Sequence, residues 1–150
     1  MCTVNLGRRL DLQLVARRIQ NAEYNPVKYN PVVLRIKKPS STANVFTFGK
    51  LICTGTHSRE DALKATRRFA RLINPLVKYC NFCILNLVCS IFVGKRLQLN
   101  HLYLRFEKCI YEPTLFPGLK IPIPFNDNMK VIPLIFHTGK IIITGAKNRC

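Results

Sequence analysis

Carboxylates are scarce in this chain: seven Asp and Glu stand against 24 Lys and Arg, a formal net charge of +17 over 150 residues. None of the acids is paired in a motif, so two-carboxylate acid–base chemistry has no carriers. Histidine is equally thin. His57, His101 and His137 are scattered, with no neighbouring Ser/Asp or Cys relay. The expectation is that the chain is not an enzyme. Long apolar runs are missing too. The longest, Phe82–Val93, is interrupted by Asn86, is too short to span a bilayer, and reads as a buried strand. The N-terminal MCTVNLGRRLDL lacks an apolar core segment, so no signal peptide is expected.

Seven cysteines are an odd number, so at least one cannot pair internally; free, buried thiols in a reducing compartment are expected. Cys80-x-x-Cys83 is a lone pair. Cys89 and Cys109 do not form a second one, no spaced histidines follow, and on a strand Cys80 and Cys83 would point to opposite faces. No metal and no cofactor is expected.

What is abundant is positive charge, spread over both halves of the sequence rather than gathered in a tail. A folded domain this basic repels itself unless a polyanion neutralises it, and nucleic acid is the commonest such partner. A solvated basic surface is the alternative.

The sequence also contains one unit written twice. Gly49-Lys50-x-Ile52-x-Thr54-Gly55 recurs as Gly139-Lys140-x-Ile142-x-Thr144-Gly145, 90 residues on, and Phe46 and Phe136 share that offset. Upstream the offset is 87: Gly7-x-x-Leu10 matches Gly94-x-x-Leu97, and Pro26-x-x-Tyr29 matches Pro113-x-x-Phe116. Three extra residues near Asn126-Asp127-Asn128 account for the difference.

Each unit reads as α+β. Asp11 is placed to cap a short helix with Leu14, Val15 and Ile19 inward; its counterpart spans Leu97–Phe106. Val32–Lys37, Ala43–Thr47 and Lys50–Thr54 read as strands, separated by Pro39-Ser40-Ser41 and by Gly49. Ser58 and Asp61 resemble a capping box. After it Ala62, Ala65, Phe69, Leu72 and Ile73 form an apolar helical stripe, with Lys64, Arg67, Arg68 and Arg71 opposite. The second copy stops where its own long helix would begin.

TVNLGRRLDL, IQNAEYNP, GKLICTG, YEPTLFPGL and GKIIITGAK, in this order across essentially the whole chain, resemble the core of the TATA-box-binding protein family. YEP-x-LFPGL is the most specific of these. The resemblance implies a pseudo-twofold saddle: a curved antiparallel sheet with helices on its convex face, here without the last long helix. Residues 1–79 would form the first repeat and 80–150 the second.

The function implied is minor-groove binding and bending of A·T-rich, TATA-like promoter DNA by a nuclear initiation factor. By resemblance Asn86 donates to base edges, while Val88, Ile52 and Ile142 press on the groove floor and Thr54 and Thr144 contact it. Phe116 and Phe136 match one kinking pair, with Leu134 beside them; Phe46 and Tyr29 occupy the other pair's positions. Arg35, Lys50 and Lys140 match phosphate-facing positions. Tyr29 and Asn44 depart from the family, which implies a weaker first half-site.

Partners implied are the general transcription factors IIA and IIB and TATA-binding-protein-associated factors. Glu112 and Leu115 match contacts for factor IIB, although Thr114 replaces a family glutamate. Lys64, Arg67, Arg68 and Arg71 would face acidic partners. No membrane association is expected. The alternative is a degenerate paralogue acting as a protein-binding scaffold or decoy.

Overall fold

The structure, a computed structural model, describes residues 1–126 and 129–146. These fall into two compact units, Met1–Leu85 and one beginning at Asn86.

The first unit comprises β1 (Cys2–Asn5), α1 (Leu12–Arg18), β2 (Ala22–Asn25), β3 (Tyr29–Lys37), β4 (Ser40–Val45), β5 (Lys50–Thr54), α2 (Arg59–Ile73) and β6 (Cys80–Ile84). Its six strands pair antiparallel in the order β2-β3-β4-β5-β1-β6. Strand alternation sorts the side chains by face. Cys2, Val4, Val32, Leu34, Ala43, Val45, Leu51 and Cys53 are buried in one core with the α2 stripe. Their neighbours Thr3, Val33, Thr42, Asn44, Ile52 and Thr54 look out from the open face.

Helix α2 starts where expected: Ser58 Oγ accepts from the Asp61 amide at 3.0 Å. Its buried stripe is Ala62, Ala65, Thr66, Phe69, Ala70 and Ile73. Leu72, expected inward, is exposed, because it lies on the margin of the arc those residues define. Thr66 tolerates burial because its hydroxyl bonds Ala62 O at 2.8 Å and meets the Tyr79 hydroxyl at 2.7 Å. Asp11 caps α1, accepting from the Gln13 and Leu14 amides. Leu12 and Val15 are buried there, whereas Leu14, also expected inward, is exposed: it sits off the i, i+3 stripe.

The second unit comprises β7 (Leu87–Phe92), α3 (Leu99–Arg105), β8 (Gly118–Lys120), β9 (Ile123–Asn126), β10 (Met129–Phe136) and β11 (Lys140–Ala146). Its sheet runs β7-β11-β10-β8, with β9 also on β10. The described ladders thus form two sheets. β6, which follows the 79/80 junction in sequence, pairs with β1. Part of the three-residue insertion falls outside the described residues.

The repeat is visible bond by bond. Leu6 N donates to Gly49 O and Val93 N to Gly139 O, both at 2.9 Å; Leu10 N donates to Thr47 O at 2.8 Å and Leu97 N to His137 O at 2.9 Å. Gly49 (φ 78°) and Gly139 (φ 89°) turn the hairpins, and a Cβ on either would strike the Arg8 or Lys95 carbonyl. Both reasons demand glycine.

Three further expectations do not hold. The segment read as a buried strand is exposed along all of β7. Val4, 1% exposed under α2, has Ile91, 53% exposed, as its repeat counterpart; among the described residues no long helix follows β11 to cover this rear face. Cys80 and Cys83 do not alternate. They pair with Asn5 and Thr3, which share a face of β1, because a bulge at left-handed Asn81 (φ 54°) inserts a residue. The thiols are not uniformly free and buried. Cys2 and Cys53 are, and contact with Cys2 together with burial pushes the Cys53 thiol up; but Cys89 is exposed on β7 and Cys83 is disulfide-bonded.

Candidate nucleic-acid interface

The open face of the second unit is mainly apolar and has one well-anchored amide. Asn86 Oδ1 accepts from Gly145 N at 3.1 Å, which fixes the amide's orientation, and Nδ2 reaches Thr144 Oγ1 at 3.3 Å. Both ends of the amide are thus held against β11. Register places Leu134 level with Ile142, and Ile142 level with Ser90. Val88, two residues before Ser90, shares their face and is 62% exposed. Asn86, Val88, Ile142, Thr144 and Leu134 are thus brought together.

At the rim, Phe116 and Phe136 pack edge-to-face with centroids 5.8 Å apart. Gly118 pairs with Phe136, and a Cβ there would lie 2.7 Å from Phe116 Cε1. The absence of a side chain seats both rings. Lys120 Nζ stands 4.6 Å from the Phe116 centroid, a cation–π contact that sequence reading missed. Both rings are half-buried rather than sealed in the core. Phe92, 69% exposed and level with Lys140, was also missed; the period-2 run Val88-Ser90-Phe92 is the signal for it.

The first unit repeats the layout with different chemistry. Ile52 is level with Asn44 and Thr3, and Thr54 with Thr42. Tyr29 and Phe46 are not in ring contact; instead Asn44 Nδ2 donates to the Tyr29 hydroxyl at 3.3 Å. Lys50 and Lys140 are exposed at the starts of β5 and β11.

Arg35 is exposed but already paired, its guanidinium bonded to the Glu23 carboxylate. An exposed pair of this kind contributes about 0–1 kcal/mol, so a phosphate can displace it. Replacing the carboxylate by Glu23→Gln is expected to raise duplex affinity about two- to five-fold at low salt. It should also steepen the log–log salt dependence by roughly one. Filter binding at several salt concentrations reads both; an unchanged slope would place Arg35 away from phosphate.

On the side of α2 away from the sheet, Lys64, Arg67, Arg68 and Arg71 are exposed, with Arg67 over the Tyr79 ring and Arg68 bonded to Lys38 O. Glu112 and Leu115 are exposed on the turn in which Glu112 O accepts from Leu115 N and Phe116 N. Among the described residues no group of three His, Cys, Asp or Glu could hold a metal ion, and no helix is long and apolar enough to cross a membrane.

A family model described as "Transcription factor TFIID (or TATA-binding protein, TBP)" matches residues 1–76 and 81–150. The chain belongs to the TATA-box-binding protein family. It is 43% identical to a TATA-box-binding protein of Tetrahymena thermophila over 98% of this chain and 60% of that one. With the protein of the same name from Acanthamoeba castellanii the figures are 44%, 98% and 57%. The chain therefore spans somewhat more than half the length of these curated relatives. A solved structure, Methanococcus jannaschii TBP, matches with a TM-score of 0.81 at 32% identity, over 99% of this chain and 85% of that one. The fold is that of the family: α+β, built as two repeats.

Proposed function

We propose that this TATA-box-binding protein family member binds the minor groove of A·T-rich promoter DNA and bends it, acting in transcription initiation in the nucleus. The observation that carries this is the second unit's open face: Asn86, with its donor end fixed, set among Val88, Ile142 and Leu134, with a rim pair of aromatics. At A·T pairs the minor groove offers only acceptors, which suit one donor on an apolar surface. Inserted aromatics unstack a base step at a cost of a few kcal/mol, offset by the contact a bent duplex gains. Val88, Ile52, Ile142, Thr54 and Thr144 would contact the floor, and Lys50, Lys140 and Arg35 the phosphates. The role requires no catalytic group.

Binding should be displaced by a small minor-groove ligand and weaken with salt. Three phosphate-facing cations alone give a log–log slope of about −2.7, roughly a 40-fold loss between 50 and 200 mM. Indifference to the minor-groove competitor would refute the reading.

The wider surfaces suit general transcription factors: exposed Glu112 and Leu115 for factor IIB, and the α2 cations for acidic partners such as factor IIA and associated factors. The polar Tyr29–Asn44 contact favours a second reading, a scaffold whose first unit reads TATA sequence poorly. Partners retained after nuclease treatment, together with weak DNA binding, would support it.

A further inference from the structure

We infer that Asn44, oriented by Tyr29, makes the first unit accept a G·C pair inside an otherwise A·T-rich site. The inference rests on the minor-groove reading above. In that groove guanine differs from every other base by one feature, the exocyclic N2 amine, which is a donor. A face of apolar groups and donors leaves that amine unpaired. A face with an acceptor satisfies it.

Asn44 supplies the acceptor. It lies on the open face of β4, level with Val33 and Ile52. Its Nδ2 donates to the Tyr29 hydroxyl at 3.3 Å. That contact uses one of the amide's two N–H donors, and among the described residues Oδ1 accepts no hydrogen bond. An amide carries two acceptor sites on its oxygen. Facing A·T pairs, this oxygen would meet only the acceptors adenine N3 and thymine O2, an unfavourable match. Facing guanine, it meets an N–H.

The two repeats show that this is a coupled change. The counterparts of Asn44 and Tyr29 are Leu134 and Phe116, which carry neither an amide nor a hydroxyl. The hydroxyl appears where the amide appears. Tyr29 is thus a positioning residue: its hydroxyl holds the Nδ2 side of Asn44, with Oδ1 at the other end of the amide.

The test is a binding scan in which each A·T pair of an A·T-rich duplex is replaced in turn by G·C and by inosine·cytosine. Inosine pairs like guanine but lacks the N2 amine. The wild-type protein should bind at least one G·C-substituted duplex within about threefold of the parent, and should prefer it to the inosine version. At pairs contacted by the second unit, G·C should cost tenfold or more. Asn44→Leu should lower the G·C-to-A·T affinity ratio about tenfold at the tolerant position only. Tyr29→Phe should lower it partially, because the freed amide can turn. Because the readout is a ratio, a general loss of binding does not mimic the result, and the inosine comparison uses the unaltered chain. Equal binding of the guanine and inosine duplexes, or a ratio unmoved by Asn44→Leu, would overturn the inference while leaving A·T-selective minor-groove binding intact. Failure to prefer the A·T parent over an all-G·C duplex would overturn both.

Discussion

Replacing Phe116 and Phe136 together by alanine is expected to abolish most of the protein-induced bend at one end of the site. The two rings are half-buried, in mutual contact at 5.8 Å, and seated over Gly118. They contribute little to the second unit's core, which consists of Leu99, Leu119, Ile121 and Ile135. Their loss should therefore leave the fold largely intact. Unstacking a base step costs a few kcal/mol and needs a rigid apolar wedge. Alanine provides none. The double variant should bend DNA far less than Lys50→Ala, which removes a proposed phosphate contact and should act chiefly on affinity and salt dependence. Gly118→Ala should act in the same direction more weakly, since the new methyl displaces the Phe116 ring without removing it. Gel phasing separates bend from affinity. Equal bending by Lys50→Ala and the double alanine variant would remove the rings from the mechanism.

The second large effect concerns stability. Phe69 is fully buried at the centre of the α2 stripe, against a sheet face carrying Leu51, Cys53 and Val4. Phe69→Ala should cost about 3–5 kcal/mol, a large part of the roughly 5–15 kcal/mol that holds a typical domain. Urea melts should show the midpoint falling sharply. The repeat supplies an internal control. Ile143 is the counterpart of Cys53 and Ile141 of Leu51, yet both are only partly buried, with Ile91 and the rest of β7 exposed beside them. Ile143→Ala should cost no more than about half as much, because a side chain already in water forfeits less transfer energy. A cost equal to that of Phe69→Ala would mean that the rear face of the second unit is covered in solution.

Much of this architecture is legible in the sequence because its determinants are local. The Gly-Lys hairpins need a left-handed residue and close approach to a carbonyl, so glycine recurs at 49 and 139. The capping side chains Asp11 and Ser58 lie two or three residues from the amides they satisfy. The period-2 run in β5 separates Leu51 and Cys53 from Ile52 and Thr54. What escaped was non-local. Nothing near Glu23 indicates that it pairs with Arg35, twelve residues on, nor does Asn44 advertise Tyr29 across the hairpin. Lys120 over Phe116 depends on how β8 meets the preceding turn. The apolar run Phe82–Val93 reads as buried, yet β7 within it is exposed, because composition reports what a face could cover, not whether anything covers it. Cys80 and Cys83 were misassigned because a bulge at Asn81 breaks the alternation on which the reading relied. Leu14 and Leu72 failed for a simpler reason: an apolar residue at the edge of a helical stripe need not be inside it.

The departures in the first unit cluster. Tyr29 and Asn44 are bonded to each other, and Arg35 on the same open face is partly neutralised by Glu23. The second unit keeps an all-phenylalanine rim, a leucine beside it and a fixed amide. Two units of one fold thus present unlike surfaces. Under the proposed DNA binding, such a difference would give the bound protein a preferred direction, since reversing the duplex exchanges the base pairs each unit meets.

These faces are proposed to grip the minor groove of A·T-rich DNA and bend it. Fluorescence energy transfer between dyes at the two ends of a short duplex tests this most directly, with A·T-rich and G·C-rich duplexes of equal length compared. The ends should approach when the protein is added to the A·T-rich duplex, while the G·C-rich one should stay nearly straight. Unchanged transfer on both, or an equal change on both, would contradict the proposal.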